Sequence, residues 1–206
     1  MARGRLITIE GIDGAGKSTL ASSLLDALAG RGVEVTLLRE PGGVRTAERI
    51  RELVHDPDAA IDPRTEALLY AAARAQLVTE AIEPLLASGQ LVLLDRFVDS
   101  SLAYQGGGRE LGVGAIQALN EFATGGIAPE RTLLLVLDPE LGRDRLSGRG
   151  GPADRLELAS AGFFQRVART YGELARADPE RIRTLDASQA PAAVLADALA
   201  AISDLV

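Results

Sequence analysis

Length, composition and charge already limit what this protein can be. The chain has 206 residues, enough for one domain with a sizeable buried core. It contains no cysteine and one histidine, His55, which excludes disulfides and cysteine-based metal sites and argues against a histidine-based catalytic triad. The net charge of −7 argues against a general nucleic-acid-binding surface. Lys17 is the only lysine among 22 basic residues.

No apolar run approaches the roughly 20 residues that a membrane-spanning helix needs. The first strand-like segment begins at Leu6, which leaves no room for the apolar core of a signal peptide. We therefore expect a cytoplasmic protein.

Short apolar segments alternate with helical patterns along the chain. Each apolar segment is continuous, which is typical of strands buried on both faces of a parallel sheet. The predicted strands cover residues 6–10, 33–38, 91–94, 132–137 and 182–185. The predicted helices cover residues 17–30, 45–54, 64–87, 113–124, 139–147, 156–177 and 190–203. Pro84 should bend or end the third helix. The alternation predicts a single domain, a three-layer α/β/α sandwich with a five-stranded parallel sheet, which binds ligands at the carboxyl ends of its strands.

The segment after the first predicted strand has the spacing of a phosphate-binding loop, G-x-x-x-x-G-K-[ST], in a strand–loop–helix context. It consists of Gly11, Ile12, Asp13, Gly14, Ala15, Gly16, Lys17, Ser18 and Thr19, all of which we expect to bind ATP. Glycines allow backbone N–H groups to point at phosphate oxygens, and the following helix adds its positive end. Lys17 supplies a compact charge for the β- and γ-phosphates, and the Ser18 hydroxyl can hold Mg²⁺. The alternative is a glycine-rich turn that precedes a helix. Because Lys17 is the only lysine, the Asn-Lys-x-Asp motif of GTPases is impossible.

A second motif, Asp95-Arg96-Phe97, follows the third predicted strand. An aspartate at a strand end beside a phosphate loop is suited to organising Mg²⁺, in part through water. Arg96 can direct its planar fork at a phosphate group. Taken alone, the pair could be a surface or capping pair, but beside a phosphate loop it favours a small phosphotransferase.

Together these motifs resemble those of bacterial thymidylate kinases, over essentially the whole chain. The segments that carry the resemblance are residues 11–19, 39–43, 70–74, 95–97, 101–109 and 154–157. The resemblance implies a P-loop nucleoside monophosphate kinase that converts dTMP to dTDP with ATP and Mg²⁺, in dTTP biosynthesis, as a homodimer. Two alternatives stay open: another nucleoside or deoxynucleoside monophosphate kinase and, less favoured, an ATP-binding regulatory protein without phosphotransfer.

The resemblance also assigns residues to the acceptor nucleotide. Tyr70, at a position where the family usually has phenylalanine, would stack on thymine, although an aromatic residue there could equally be core packing. The other assignments are Arg74, Ser101 and Gln105 to the base, Tyr104 to the sugar, Arg39 and Arg96 to the acceptor phosphate, and Asp13 to the 3′-hydroxyl and phosphate. Asp13 could otherwise simply cap its turn.

An arginine-rich segment, residues 143–155, resembles a mobile lid, although alone it could be a solvated basic helix end. Because the phosphate loop has Gly14 where some family members have arginine, the resemblance places the catalytic arginine in the lid. We expect Arg149 in this role, with Arg145 and Arg155 as alternatives. Arg143 would stack on adenine, and Ser188 would line the adenine pocket.

The acceptor phosphate has a second pKa of about 6 and needs no general base. Catalysis would therefore depend on Lys17, Arg96, Arg149 and Asp13, and His55 is expected at the surface.

Overall fold

Five parallel strands form one sheet in the computed structural model, which describes residues 3–148 and 155–206. The strands are β1 (Arg5–Gly11), β2 (Val35–Arg39), β3 (Leu91–Asp95), β4 (Arg131–Val136) and β5 (Ile182–Asp186). Their order across the sheet is β2-β3-β1-β4-β5, so that β1 lies at the centre. The prediction of a five-stranded parallel sheet is confirmed.

Helices connect the strands. They are α1 (Lys17–Ala29), α2 (Arg45–His55), α3 (Pro63–Leu77), α4 (Glu83–Ala87), α5 (Val98–Ser101), α6 (Val113–Thr124), α7 (Pro139–Ser147), α8 (Ala161–Ala177) and α9 (Pro191–Ala201). Two π-helical segments, Val78–Ile82 and Leu102–Gly108, continue α3 and α5. Local chemistry explains several helix starts. Asp62 accepts a hydrogen bond from the Arg64 N–H at 2.9 Å, Asp138 accepts one from the Glu140 N–H at 2.8 Å, and a proline follows each aspartate.

The observed helices differ from the predicted ones at three places. Pro84 does not end its helix, because a π-helical turn precedes it, in which the Glu83 N–H bonds to the Val78 carbonyl five residues back. The segment at 155–158 forms turns rather than helix, and α8 begins only after Ser160, whose hydroxyl accepts from the Phe163 N–H. The helical segment from 98 to 108 was not predicted at all.

The sheet is covered on both faces. Ile7, Ile9 and Leu133 face α1 and α9, whereas Leu6 and Leu94 face the other side, where the end of α3, its π-helical extension and α4 cover them. Helix α8 packs on β4 and β5. The predicted three-layer arrangement is thus confirmed, with the strand ends left open for a ligand. No described helix is long and apolar enough to cross a membrane.

Candidate active site

A cleft of about 540 Å³ lies at the carboxyl ends of β1, β2 and β3. Its walls come from the phosphate loop, the segment after β2, helices α2 and α3, the segment after β3, and residues 145–146 and 156–157. All eight residues predicted for the acceptor nucleotide line it: Asp13, Arg39, Tyr70, Arg74, Arg96, Ser101, Tyr104 and Gln105.

Lys17 is the first residue of α1 and is almost completely buried, at 8% exposure. Its Nζ donates to the Ile12 carbonyl at 2.8 Å and lies 4.0 Å from an Asp13 carboxylate oxygen. Burial, and secondarily the charge of Arg96, lower the pKa of Lys17 to about 8. The loop therefore holds a poorly compensated cation, which an anionic phosphate would stabilise.

Glycines bring the phosphate loop and helix α7 into backbone contact. A Cβ on Gly14 would lie 2.2 Å from the Gly142 carbonyl oxygen, and a Cβ on Gly142 would lie 2.7 Å from the Asp13 carbonyl oxygen. Gly14 also has a φ of +79°. A side chain such as arginine at position 14 does not fit this arrangement, so any arginine that reaches the transferred phosphoryl group must come from another segment.

Ser18 and Asp95 lie where a divalent cation would be expected. The Ser18 hydroxyl donates to Asp95 Oδ2 at 2.9 Å, and Asp95 Oδ1 is buried without a hydrogen bond from any residue that the structure describes. Within residues 3–148 and 155–206 no cluster of three or more potential metal-binding side chains exists. Mg²⁺ suits such a sparse site, because it keeps several waters and takes the rest of its ligands from substrate phosphates.

Arg96 projects into the cleft from a strained backbone, with a φ of 72°. Its Nη1 donates to the Gly11 carbonyl at 3.2 Å and the Ser100 hydroxyl at 3.1 Å, and its Nη2 forms an ion pair with Asp13. The guanidinium carbon lies 5.0 Å from the centre of the Tyr104 ring, whose hydroxyl donates to Asp13 at 2.8 Å. Asp13 thus orients both Arg96 and Tyr104, which is more than the capping of its own turn.

Glu10, on β1, binds the segment that follows Arg96 and was not predicted as a site residue. It is completely buried and accepts hydrogen bonds from the Phe97 N–H at 2.7 Å, from Ser100, and from the Tyr171 hydroxyl at 2.8 Å. Burial and nearby Asp99 raise its pKa. A lone acidic residue at the end of an apolar strand was the available signal, since such a side chain is buried only with partners.

Arg74 is buried in α3, and its guanidinium makes four hydrogen bonds within the protein. It donates to Glu40, to the Ser101 hydroxyl at 2.9 Å, to the Asn120 amide oxygen and to the Phe97 carbonyl at 2.9 Å. Burial raises the pKa of Glu40 to about 7 despite this pairing. In this arrangement Arg74 anchors α3. A hydrogen bond from Arg74 to a base stays a prediction that requires one of these bonds to be exchanged.

The other acceptor-side residues differ in their surroundings. Tyr70 is half-buried at the edge of the main core. Gln105 is buried and donates to Glu66 at 2.9 Å. Arg39 is 58% exposed and pairs with Glu48 at 3.1 Å, so its guanidinium is accessible from the cleft.

The residues predicted for the donor side differ in where the structure places them. Arg145 lines the cleft, whereas Arg143 and Ser188 are exposed and lie outside its lining. Arg149 lies outside the described residues. Arg155 lies outside the lining too, and its guanidinium is bound 2.6 Å from Glu66. Its alternative assignment as the catalytic arginine stays a prediction, which would require this ion pair to break.

Several residues line the cleft without having been predicted as site residues, among them Arg51, His55 and Glu157. His55 is half-buried in the cleft wall rather than on the surface, so that expectation was wrong. Its place at the end of an amphipathic helix gave no indication of which side the cleft would occupy.

The phosphate loop between a central parallel strand and α1, with Asp95 and Arg96 on the neighbouring strand end, defines a P-loop nucleotide phosphotransferase. A thymidylate kinase family model matches residues 9–198. Thymidylate kinase of Oenococcus oeni is 49% identical, over 99% of this chain and 97% of the relative, and that of Deinococcus radiodurans is 46% identical, over 99% and 98%. The crystal structure of thymidylate kinase from Ehrlichia chaffeensis superposes with a TM-score of 0.81 at 28% identity, covering 98% of this chain and 99% of that one. The chain belongs to the thymidylate kinase family.

Proposed function

We propose that this chain transfers the γ-phosphoryl group of ATP to dTMP, giving ADP and dTDP. One observation carries the proposal beyond family membership. Lys17, suited to the donor phosphates, and Arg96, suited to the acceptor phosphate, both lie beside the same oxygen, Oδ1, of Asp13. A donor and an acceptor phosphate bound by these two cations would therefore lie close together, which transfer between them requires.

The acceptor needs positioning rather than activation. Its phosphate has a second pKa of about 6, so it is mostly a dianion at neutral pH and can attack without a general base. Lys17 and Arg96 would neutralise charge on the phosphoryl oxygens. Asp13 would keep Arg96 oriented until the acceptor phosphate binds.

Ser18 and Asp95 are the residues that would hold Mg²⁺. When bound, the ion would neutralise part of the negative charge of the ATP phosphates. The buried Oδ1 of Asp95 supports this assignment, since no described residue donates to it.

Selectivity for a thymine deoxynucleotide would come from the acceptor side. Tyr70 offers an aromatic face at the cleft wall, on which the thymine base would stack. Ser101 and Gln105 line the same cleft and would contact that base. The Tyr104 ring is held by Asp13 and Arg96, which suits the predicted role of excluding a ribose 2′-hydroxyl.

Several further parts of the proposal depend on family resemblance. These are one domain over residues 1–206 with a lid at about 143–155, Arg149 as its catalytic arginine, adenine contacts from Arg143 and Ser188, and a cytoplasmic location. Arg145 is the lid arginine that the structure describes at the cleft. The close contact of Gly14 with α7 supports this design, because it leaves no space for an arginine in the loop itself.

We also propose that two copies of the chain pair through α2, α3 and α6, which pack against each other. Each carries an exposed large apolar side chain: Leu53 at 46%, Leu68 at 57% and Phe122 at 89% exposure. Apolar groups on adjoining helices favour a self-complementary, two-fold interface. Phe122→Glu should give monomers in analytical ultracentrifugation. A variant with the sedimentation of the unchanged dimer would contradict this interface.

The central test is a coupled assay of ADP release with a panel of acceptors: dTMP, dUMP, other monophosphates, and no acceptor. We expect turnover that depends on the acceptor and is highest with dTMP. A clear preference for another monophosphate would indicate a different kinase on this fold. ATP hydrolysis that ignores the acceptor would favour the regulatory alternative.

A further inference from the structure

A second buried carboxylate, Glu66, lies beside the acceptor end of the cleft. It is 0% exposed and is the meeting point of three side chains. Gln105 donates to it at 2.9 Å, Arg109 donates from Nε at 3.2 Å and from Nη2 at 2.9 Å, and Arg155 Nη2 lies 2.6 Å away. Burying a carboxylate with two arginines is costly unless the geometry of all three groups is closely fixed.

Glu66 shares a face of α3 with two cleft residues. Glu66, Tyr70 and Arg74 are spaced by four residues and therefore lie above one another on the helix. Arg74 ties one end of this face to Glu40 and to the segment after β3. Glu66 ties the other end to Gln105. Tyr70 is thereby held between two buried charged residues.

Arg155 connects Glu66 to a further cleft wall. Its Nε donates to the Val54 carbonyl near the end of α2 at 3.1 Å. The two residues that follow it, Leu156 and Glu157, line the cleft. The guanidinium of Arg109 lies 4.8 Å from the centre of the Phe163 ring, and its neighbours Gly108 and Glu110, unlike Leu156 and Glu157, do not line the cleft.

We propose that Glu66 is a positioning residue for the acceptor nucleotide, which acts by holding Gln105 and, through Arg155, the wall at residues 156–157 around the base-binding end of the cleft. The inference rests on the proposed function for the identity of the acceptor. It predicts that loss of the Glu66–Arg155 contact weakens acceptor binding and leaves ATP binding unchanged, because Lys17 and Ser18 lie on a different part of the cleft.

Arg109 provides a matched control, since Arg155→Met and Arg109→Met each remove one arginine from the same carboxylate. We expect both to lower the melting temperature. Arg155→Met should raise the KM for dTMP by about ten-fold with a smaller change in kcat, and leave the KM for ATP within about two-fold. Arg109→Met should leave both KM values within about two-fold of the unchanged enzyme. Arg155→Lys, which keeps the charge, should fall between Arg155→Met and the unchanged enzyme.

Two results would overturn the proposal and leave Glu66 as a stabilising residue only. One is an equal increase in the KM for dTMP in Arg155→Met and Arg109→Met. The other is a rise in the KM for ATP in Arg155→Met as large as its rise in the KM for dTMP. Glu66→Gln combined with Arg155→Met should be no worse for dTMP than the stronger single variant, because the proposal has Arg155 act only through its contact with Glu66. If Glu66→Gln does not fold, the two arginine variants decide the question without it.

Calorimetric binding of dTMP to the same arginine variants separates this inference from the proposed function. If the unchanged enzyme prefers another monophosphate, the proposed substrate is wrong, and the contrast between Arg155→Met and Arg109→Met is measured with that acceptor. If the enzyme phosphorylates dTMP normally and the contrast is absent, only the role of Glu66 is wrong.

Discussion

Replacing Lys17 by methionine should abolish phosphoryl transfer and also stabilise the free protein. Burial and the charge of Arg96 lower the pKa of Lys17 from its ordinary 10.5 to about 8. At about 1.4 kcal/mol per pKa unit, keeping this lysine charged in the folded loop costs roughly 3 kcal/mol. Methionine retains the apolar stem without the charge, and the lost hydrogen bond to Ile12 offsets about 1 kcal/mol. The expected net gain in the free energy of unfolding is about 2 kcal/mol.

The gain should depend on pH in a defined direction. Below pH 8 Lys17 is protonated in both the folded and the unfolded chain, so its full cost is present at pH 7. Between pH 8 and 10.5 the folded protein releases this proton while the unfolded chain retains it, so the unchanged protein becomes more stable relative to Lys17→Met. Urea unfolding followed by circular dichroism at pH 7 and at pH 9.5 measures both differences.

Two results would refute this reasoning. One is a Lys17→Met variant that is no more stable than the unchanged protein at pH 7. The other is a stability difference that does not shrink towards pH 9.5. Arg183→Met, which removes a cation on β5 outside the cleft, serves as a control and should change neither quantity. The assay of dTDP formation should show a loss of more than about 100-fold in kcat for Lys17→Met only.

Three further substitutions test separate parts of the cleft. Asp95→Asn should raise the Mg²⁺ concentration for half-maximal activity by about ten-fold or more, and an unchanged Mg²⁺ titration would contradict the assigned metal site. Tyr70→Ala should raise the KM for dTMP by about ten-fold and leave the KM for ATP unchanged, with Tyr70→Phe close to the unchanged enzyme; equal losses for both nucleotides would make Tyr70 a core residue. Gly142→Ala should lower the melting temperature and raise the KM for ATP, because its Cβ would lie 2.7 Å from the Asp13 carbonyl oxygen; normal values for both would show that α7 can move away at little cost.

Much of the fold followed from local patterns. Continuous apolar segments marked all five strands. The segments that follow the first and third strands, with Lys17 and Asp95, were placed at the cleft because parallel strands share one carboxyl edge. The π-helical turn before Pro84 was not predictable in this way. It depends on which carbonyls remain available in the packed helix, and a pattern of apolar residues contains no such information.

The buried charges mark the limit of prediction from sequence. Glu66 was assigned no role, and Arg74 was assigned to the base. The structural role of each depends on ion-pair partners that are distant in the chain. Glu66 pairs with Arg109 and Arg155, and Arg74 pairs with Glu40. Charged residues on a helix are usually solvent-exposed, so only the packed structure shows which ones are enclosed with a partner of opposite charge.

The pairing of cations in the free protein explains how an acidic chain can present a site for two polyanions. Arg74 is buried in an ion pair with Glu40 and makes four hydrogen bonds, so substrates cannot easily recruit it. Arg96 and Arg39 are paired but partly exposed, so an acceptor phosphate can exchange with Asp13 or with the carboxylate that holds Arg39. Lys17 is different, because it is buried and the nearest carboxylate oxygen among the described residues, on Asp13, is 4.0 Å away. Its positive charge is therefore only partly compensated, which agrees with its lowered pKa. The donor phosphates therefore meet the cation that gains most from them, which is a physical reason why this position is lysine in a chain that otherwise uses arginine.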